Sequence, residues 1–366
     1  MDIKSIKSKR IIFLGFNGFK DHKRGVENVI QLQSYVDNNY KYYIHWGSRD
    51  YIYKFGKMIC ISINHSSHFK YIRLNKIIRR ILRHNHRNAI IHSHNYLMTV
   101  MLYCKTDIFT IHDGLAYLKY STGDDKPLSQ TIYRIIEKIA YRKARKIHVI
   151  SEYTKAHSQL DSNRREYSLI YNSSHYEDLV ERFQYNAVKF YESFPYLLGK
   201  NYCLSVRSLE HRANIVQLIQ VAKNYPNLEF VIAGKGPLYD KLQKQIINEN
   251  INNFHLLGYV PDDLLFHLYK YSSFIITPAL YGEGFGLPII EGYLFNKPVI
   301  ASNVCAIPEV IMSSEYLFDN NIESISRAIE FCMCKIDDKS FREYYDRNFS
   351  NSSIIHKYRL LYSSLE

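Results

Sequence analysis

No stretch of the 366-residue sequence approaches the roughly 18 consecutive apolar residues of a membrane-spanning helix. The opening MDIKSIKSKR has no apolar centre of the kind a signal peptide needs, so a cytoplasmic protein is expected. Cysteines are few: Cys60, Cys104, Cys203, Cys305, Cys332 and Cys334 are scattered without a CxxC pair. Reduced core thiols are therefore expected rather than disulfides or a zinc site. The GxxxxGK[ST] loop is missing, which removes the ordinary P-loop nucleotidases. Tandem repeats and low-complexity tails are missing too. Acid is the scarce charge, with 35 Asp and Glu against 48 Lys and Arg, a net of +13. Such an excess favours nucleotides, nucleic acid or an acidic membrane face without choosing among them.

What is present is a globular composition, 46% hydrophobic and 23% charged, in a length that suits about two domains. Residues 275–309 read IITPALYGEGFGLPIIEGYLFNKPVIASNVCAIPE. A short β-prone run ends in a loop with glycines at 282, 284 and 286. Pro288 suits the first turn of the helix that follows, Asn296 is placed to cap it, and a second strand begins near Val299. A β-loop-α-β unit sets its loop and helix start at the carboxyl edge of a parallel sheet, where ligands bind. Glycines admit close backbone approach, and the free N–H groups at the helix start favour a phosphate or diphosphate. Glu283 and Glu291 flank this cradle. Carboxylates are good acceptors for hydroxyls, so the pattern fits either a ligand with both diphosphate and sugar hydroxyls or a Rossmann-like loop with two solvated acids.

Glu-Gly-Phe-Gly-Leu-Pro, with a second Glu eight positions after the first, resembles the EX7E signature of retaining glycosyltransferases of family 4. The resemblance is close over residues 202–310 and looser over 10–175. It implies an α/β, GT-B fold: two Rossmann-like domains facing across a cleft, with a C-terminal helix crossing back to the first. The expected division is 1–185 for the acceptor-side domain, 186–200 for a linker, 201–345 for the nucleotide-sugar domain and 346–366 for the returning helix. In this family a strand–loop after the first strand of the second domain supplies a Gly-Arg pair and then a Lys to the donor diphosphate. Arg207 keeps the arginine, while Val206 stands for the glycine and Ala213 for the lysine; Arg212, one position earlier, would either substitute for that cation or lie on a solvated helix start.

The same resemblance implies the remaining roles. Gly234, in the GKGP turn, and the segment Gly284, Phe285, Gly286 and Leu287 would bind the donor. Tyr259 and Val260 would lie by the base, Glu291 would hold the ribose, and Glu283 would orient the donor sugar. His112, ending a strand before Asp113 and Gly114, matches a family histidine that contacts the donor sugar beside the acceptor. Arg24 and Gly25 match the place of a Gly-Gly pair, with Arg24 at the first glycine. No DxD triplet is present, so a metal-independent site with no cofactor is expected, using a UDP- or GDP-sugar. The acceptor would be a glycan or a lipid-linked sugar in surface-polysaccharide synthesis, O-antigen or capsule. Peripheral contact with the anionic inner membrane face would fall to the basic segments 70–87 and 141–146, and nucleic acid is not an expected partner. The competing reading is a non-catalytic basic protein that binds nucleic acid or membrane on a Rossmann-like scaffold, which leaves Glu283, Glu291 and the glycines without a purpose. His92 and His94 share one strand face, which would permit a metal pair, but no third ligand has fitting spacing.

Overall fold

The structure is a computed structural model that describes residues 10–20, 25–84, 89–121, 126–158, 160, 166–334 and 340–365. Arg24 and Arg87 lie outside the described residues. The chain divides into two compact units: residues up to Ser173 joined by those from Asn351 on, and Ser174–Ser350.

In the first unit the described strands are β1 Arg10–Leu14, β2 Lys41–Gly47, β3 Tyr51–Phe55, β4 Met58–Asn64, β5 Ala89–Ser93, β6 Thr106–Ile111, β7 Ala144–Val149 and β8 Tyr167–Leu169. They form one sheet in the order β3-β4-β2-β1-β5-β6-β7-β8. The central runs such as RIIFL are apolar on both faces because helices cover both. β3 alone runs antiparallel, paired to β4 through a tight turn in which Gly56 takes φ +54°. One sheet face packs on helix Lys70–His84 through Leu74, Ile78 and Ile81, which meet Ile12, Ile44 and Ile63. Ile72, on the same helix, is exposed. The other face receives helix Asn351–Ser363, whose Ile354, Tyr358, Leu361 and Tyr362 join Phe13, Ile30, Tyr43 and Ile90. Arg359 Nε donates to the Val36 carbonyl at 2.8 Å, fastening this helix 323 residues away in sequence.

The second unit carries β9 Asn201–Val206, β10 Leu228–Ala233, β11 Phe254–Gly258, β12 Phe274–Thr277, β13 Val299–Ser302 and β14 Leu317–Phe318, all parallel, in the order β11-β10-β9-β12-β13-β14. β9 and β12 are neighbours from which the sheet grows in opposite directions. Their carboxyl ends therefore form the topological switch point, the crevice where α/β sheets hold ligands.

Three expected boundaries move, the first being the end of the first unit at Ser173 rather than 185. Residues 186–200 are no linker: helix Ala187–Ser193 seats Phe190 against Tyr202 and Tyr271 of the second unit. The aromatic residues that hid any pattern in the sequence are the packing surface itself. The returning helix starts at Asn351 rather than 346. A separate helix, Ser340–Asn348, stays in the second unit, where Tyr345 donates to Glu177 Oε2 at 2.8 Å and Phe341 stacks on Tyr293.

Candidate functional site

The loop after β12 is shaped by two left-handed glycines, Gly282 at φ +71° and Gly286 at φ +100°. Gly286 is the N-cap of helix Leu287–Leu294, with Pro288 in its first turn. Asn296, at φ +55°, ends the helix: its N–H reaches the Tyr293 carbonyl and the Lys297 N–H reaches Gly292, both at 2.9 Å. That reciprocal pair satisfies carbonyls otherwise left open at the helix end. Phe285 is buried with its ring edge-on to Phe349 at 6.1 Å, while Gly284 and Leu287 are half-buried at the helix start.

At the switch point Arg207, just past β9, donates from Nη2 to Glu283 Oε2 at 2.8 Å. Both side chains are largely buried, and Arg207 Nη1 is a buried donor with no hydrogen-bond partner. A buried guanidinium N–H left open is costly unless a ligand oxygen completes it. Gly234, at φ +150°, lies so close to the backbone of Arg207 that a Cβ there would overlap the Arg207 carbonyl oxygen. Its N–H donates to the Gly258 carbonyl at 2.7 Å, so the turns after β9, β10 and β11 are pressed together. Tyr259 follows, exposed, with Lys235 Nζ 5.8 Å above its ring, and Val260 is half-buried beside it.

Arg212 donates from Nε to Glu210 at 2.8 Å and from Nη1 to the Gly282 carbonyl at 2.9 Å. Its guanidinium ties the loop after β9 to the glycine loop. Ala213, at the position where the family pattern has lysine, is buried. Glu291 points inward from the helix and accepts from the Tyr269 hydroxyl at 2.8 Å. Burial pushes its carboxyl up to about 7, against the lowering effect of the Tyr269 hydrogen bond.

In the first unit His112 directly follows β6 and lines a cavity of about 570 Å³ with His94, Asp113, Trp46, Tyr96 and Tyr133. Gly25 opens helix Gly25–Gln33 of the same unit. The His112 ring belongs to a row of imidazoles that was not foreseen. His94 Nδ1 lies 2.8 Å from His112 Nε2, and His94 Nε2 lies 3.0 Å from Gln33 Oε1. His92 contacts the Tyr362 hydroxyl at 2.8 Å and Thr110 Oγ1 at 2.6 Å; Thr110 in turn meets His148 Nδ1 at 2.8 Å. His92 and His94 do share a strand face, with rings stacked at 4.5 Å. All four of their ring nitrogens are engaged in hydrogen bonds, which leaves no lone pair facing a metal. Burial lowers the pKa of each of these imidazoles, His112 to about 3 and His148 to about 4, so the row is neutral at ordinary pH. The alternation of His92 and His94 was the one trace of this row in the sequence.

Residues 192–348 match the family described as glycosyl transferases group 1. Among curated proteins the chain is similar to the O-antigen chain mannosyltransferase B of Escherichia coli, 32% identical over 155 residues, 40% of each chain. It is also 29% identical over 180 residues to an uncharacterized glycosyltransferase of Methanocaldococcus jannaschii, 49% of this chain and 46% of that one. The matched span thus covers less than half the length of these relatives. Among solved structures, sucrose-phosphate synthase from Thermosynechococcus elongatus superposes with a TM-score of 0.78 at 16% identity, over 98% of this chain and 99% of that one. Anabaena HepE in complex with UDP and glucose gives 0.74 at 14% identity, over 98% and 100%. The fold is therefore GT-B, α/β with two Rossmann-like domains and a final helix that returns to the first.

Proposed function

We propose that this chain is a retaining glycosyltransferase that moves a sugar from a UDP- or GDP-sugar to a glycan or lipid-linked acceptor in surface-polysaccharide synthesis. The observation that carries the proposal is the Arg207–Glu283 pair at the switch point, with Arg207 Nη1 buried and open. Support comes from the match to glycosyl transferases group 1, from a relative named an O-antigen mannosyltransferase and from a fold neighbour solved with UDP and glucose.

Breaking the bond from the anomeric carbon to phosphate builds positive charge on the ring and negative charge on the leaving diphosphate. Fixed donors around that diphosphate lower the barrier. In this reading Arg207 Nη1 and the amides of Gly284 to Gly286 provide them, and Arg212 shapes the loop while adding charge. The departing phosphate takes the acceptor proton, and no protein nucleophile is invoked. Glu283 orients the donor sugar, Glu291 accepts from the ribose, and the backbone near Tyr259 and Val260 supports the base. His112, Asp113 and Gly25 serve the acceptor side, with Arg24 from outside the described residues. The basic segments 70–87 and 141–146 are proposed to touch an anionic inner membrane face. The site is proposed to need no metal. Incubating the purified protein with a panel of UDP- and GDP-sugars tests the reading: slow release of free nucleotide from one donor supports it, and no release from any donor, with or without extracted lipid acceptors, rejects it.

A further inference from the structure

A cavity of about 890 Å³ in the first unit lies away from both sites above, between the β3–β4 end of the sheet and helix Lys70–His84. Its floor is mostly apolar: Ile52, Ile61 and Ile63 from the strands face Ile77 and Ile81 from the helix, with Tyr42 and Tyr51 beside them. Ile52 stands 71% exposed on an edge strand. The rim is cationic, from Arg10, Lys76 and Arg80. Asp50, the acid at this rim, is already taken, ion-paired to Arg73 and accepting the Asn64 N–H at 2.7 Å. No acidic partner reaches Arg10, Lys76 or Arg80 among the described residues. The Ser62 hydroxyl in the wall donates to the Arg49 carbonyl at 2.8 Å and is not free for a ligand.

We propose that this groove binds an anionic amphiphile, an alkyl or isoprenoid chain bearing a phosphate, with the chain along the isoleucines and the phosphate at Arg10, Lys76 and Arg80. The five isoleucines favour a hydrocarbon chain over a sugar, and a bare anion would leave that apolar floor wet. Charge complementarity sets the head group, since three cations with no acidic partner among the described residues face one neutralised acid. The site goes beyond the transfer reading, because its occupancy is measured with no sugar donor present and either can fail alone.

The experiment is calorimetric titration of the full chain with n-decyl phosphate below its micelle concentration, beside n-decanol and inorganic phosphate. The expected result is that decyl phosphate binds about tenfold or more tightly than either fragment. Two variants localise it: Lys76→Gln with Arg80→Gln should weaken binding about tenfold, and Ile52→Ser, at an exposed position, should weaken it several-fold with an unchanged melting temperature. Equal affinity for inorganic phosphate would overturn the proposal in favour of a simple anion patch. Unchanged affinity in both variants would overturn it as detergent-like adsorption. Binding to vesicles of anionic phospholipid but not to monomeric decyl phosphate would overturn it in favour of a bilayer-docking face.

Discussion

Glu283 and Arg207 test whether a buried ion pair at the switch point serves the ligand or only the fold. Removing one partner of such a pair leaves the other uncompensated, at about 1–3 kcal/mol when a buried group loses its hydrogen bond. Glu283→Ala should therefore lower stability by that order, measurable as a shift in the urea midpoint. Glu283→Gln keeps an acceptor oxygen for Arg207 and should melt close to the native protein. Both should lose transfer, because the amide carries no charge for the sugar hydroxyls. Full transfer by the Gln variant would remove Glu283 from the mechanism. His112 is a second single-residue case. Its Nε2 is committed to His94, so replacement by Ala should lower turnover by at least about tenfold while changing nucleotide affinity less than twofold. Equal losses in turnover and affinity would make it a structural histidine.

At the scale of elements, helix Leu287–Leu294 carries the pH dependence. Its Glu291 has a pKa near 7 through burial, and hydroxyl donors from a ribose would favour the ionised form. Nucleotide binding should then tighten as pH rises from 6 to 8, and the trend should vanish in Glu291→Gln; a flat profile in the native protein would separate Glu291 from the ligand. The glycine loop makes a second claim. If its amides and Arg207 neutralise the diphosphate, excess EDTA should leave transfer unchanged. Loss of activity restored by one divalent ion would overturn that view.

The same elements show what a sequence discloses. The glycine loop, Pro288 and Asn296 were readable because each states a backbone requirement in its own residue type. Buried strands such as β1, RIIFL, and β10, LEFVIA, were readable because burial on both faces leaves continuous apolar runs. β3 was not, since an edge strand of alternating exposure, YIYKF beside a two-residue turn, carries little hydrophobic signal. The imidazole row was hidden for a different reason: it joins β5, β6, β7, helix Gly25–Gln33 and the returning helix, and only tertiary structure brings Gln33, His94 and Tyr362 together. The engagement of Arg212 with Glu210 and Gly282 is likewise a contact across loops that spacing does not encode.

For the whole molecule, buried titratable groups give the two units opposite responses to acid. In the first unit His92, His94, His112 and His148 have folded pKa values below that of the unfolded chain, near 6.5. Above that pH they are neutral in both states and cost nothing. Below it the unfolded chain takes up protons that the fold refuses, and each group costs up to about 1.4 kcal/mol per pH unit. Glu137, with its carboxyl pushed up to about 7 by burial, opposes them, one group against four. In the second unit the raised pKa of Glu291 has the reverse sign: its unfolded form ionises above about 4.5 while the fold stays protonated, so stability falls as pH rises toward 7. Calorimetry between pH 7 and 5 should resolve two transitions, the first unit moving down in temperature on acidification and the second holding or moving up. Parallel movement of both would contradict this distribution of buried groups.

Helix Asn351–Ser363 places Tyr358 and Tyr362 in the core of the first unit, although 177 residues of the second unit, Ser174–Ser350, lie between them and the strands they cover. During synthesis the first sheet emerges before its covering helix exists, with the apolar face around Phe13, Tyr43 and Ile90 open. The second unit is continuous in sequence and can close as soon as it leaves the ribosome. The unit begun first is thus completed second, and through that interval its bare sheet face is the surface that chaperones must guard.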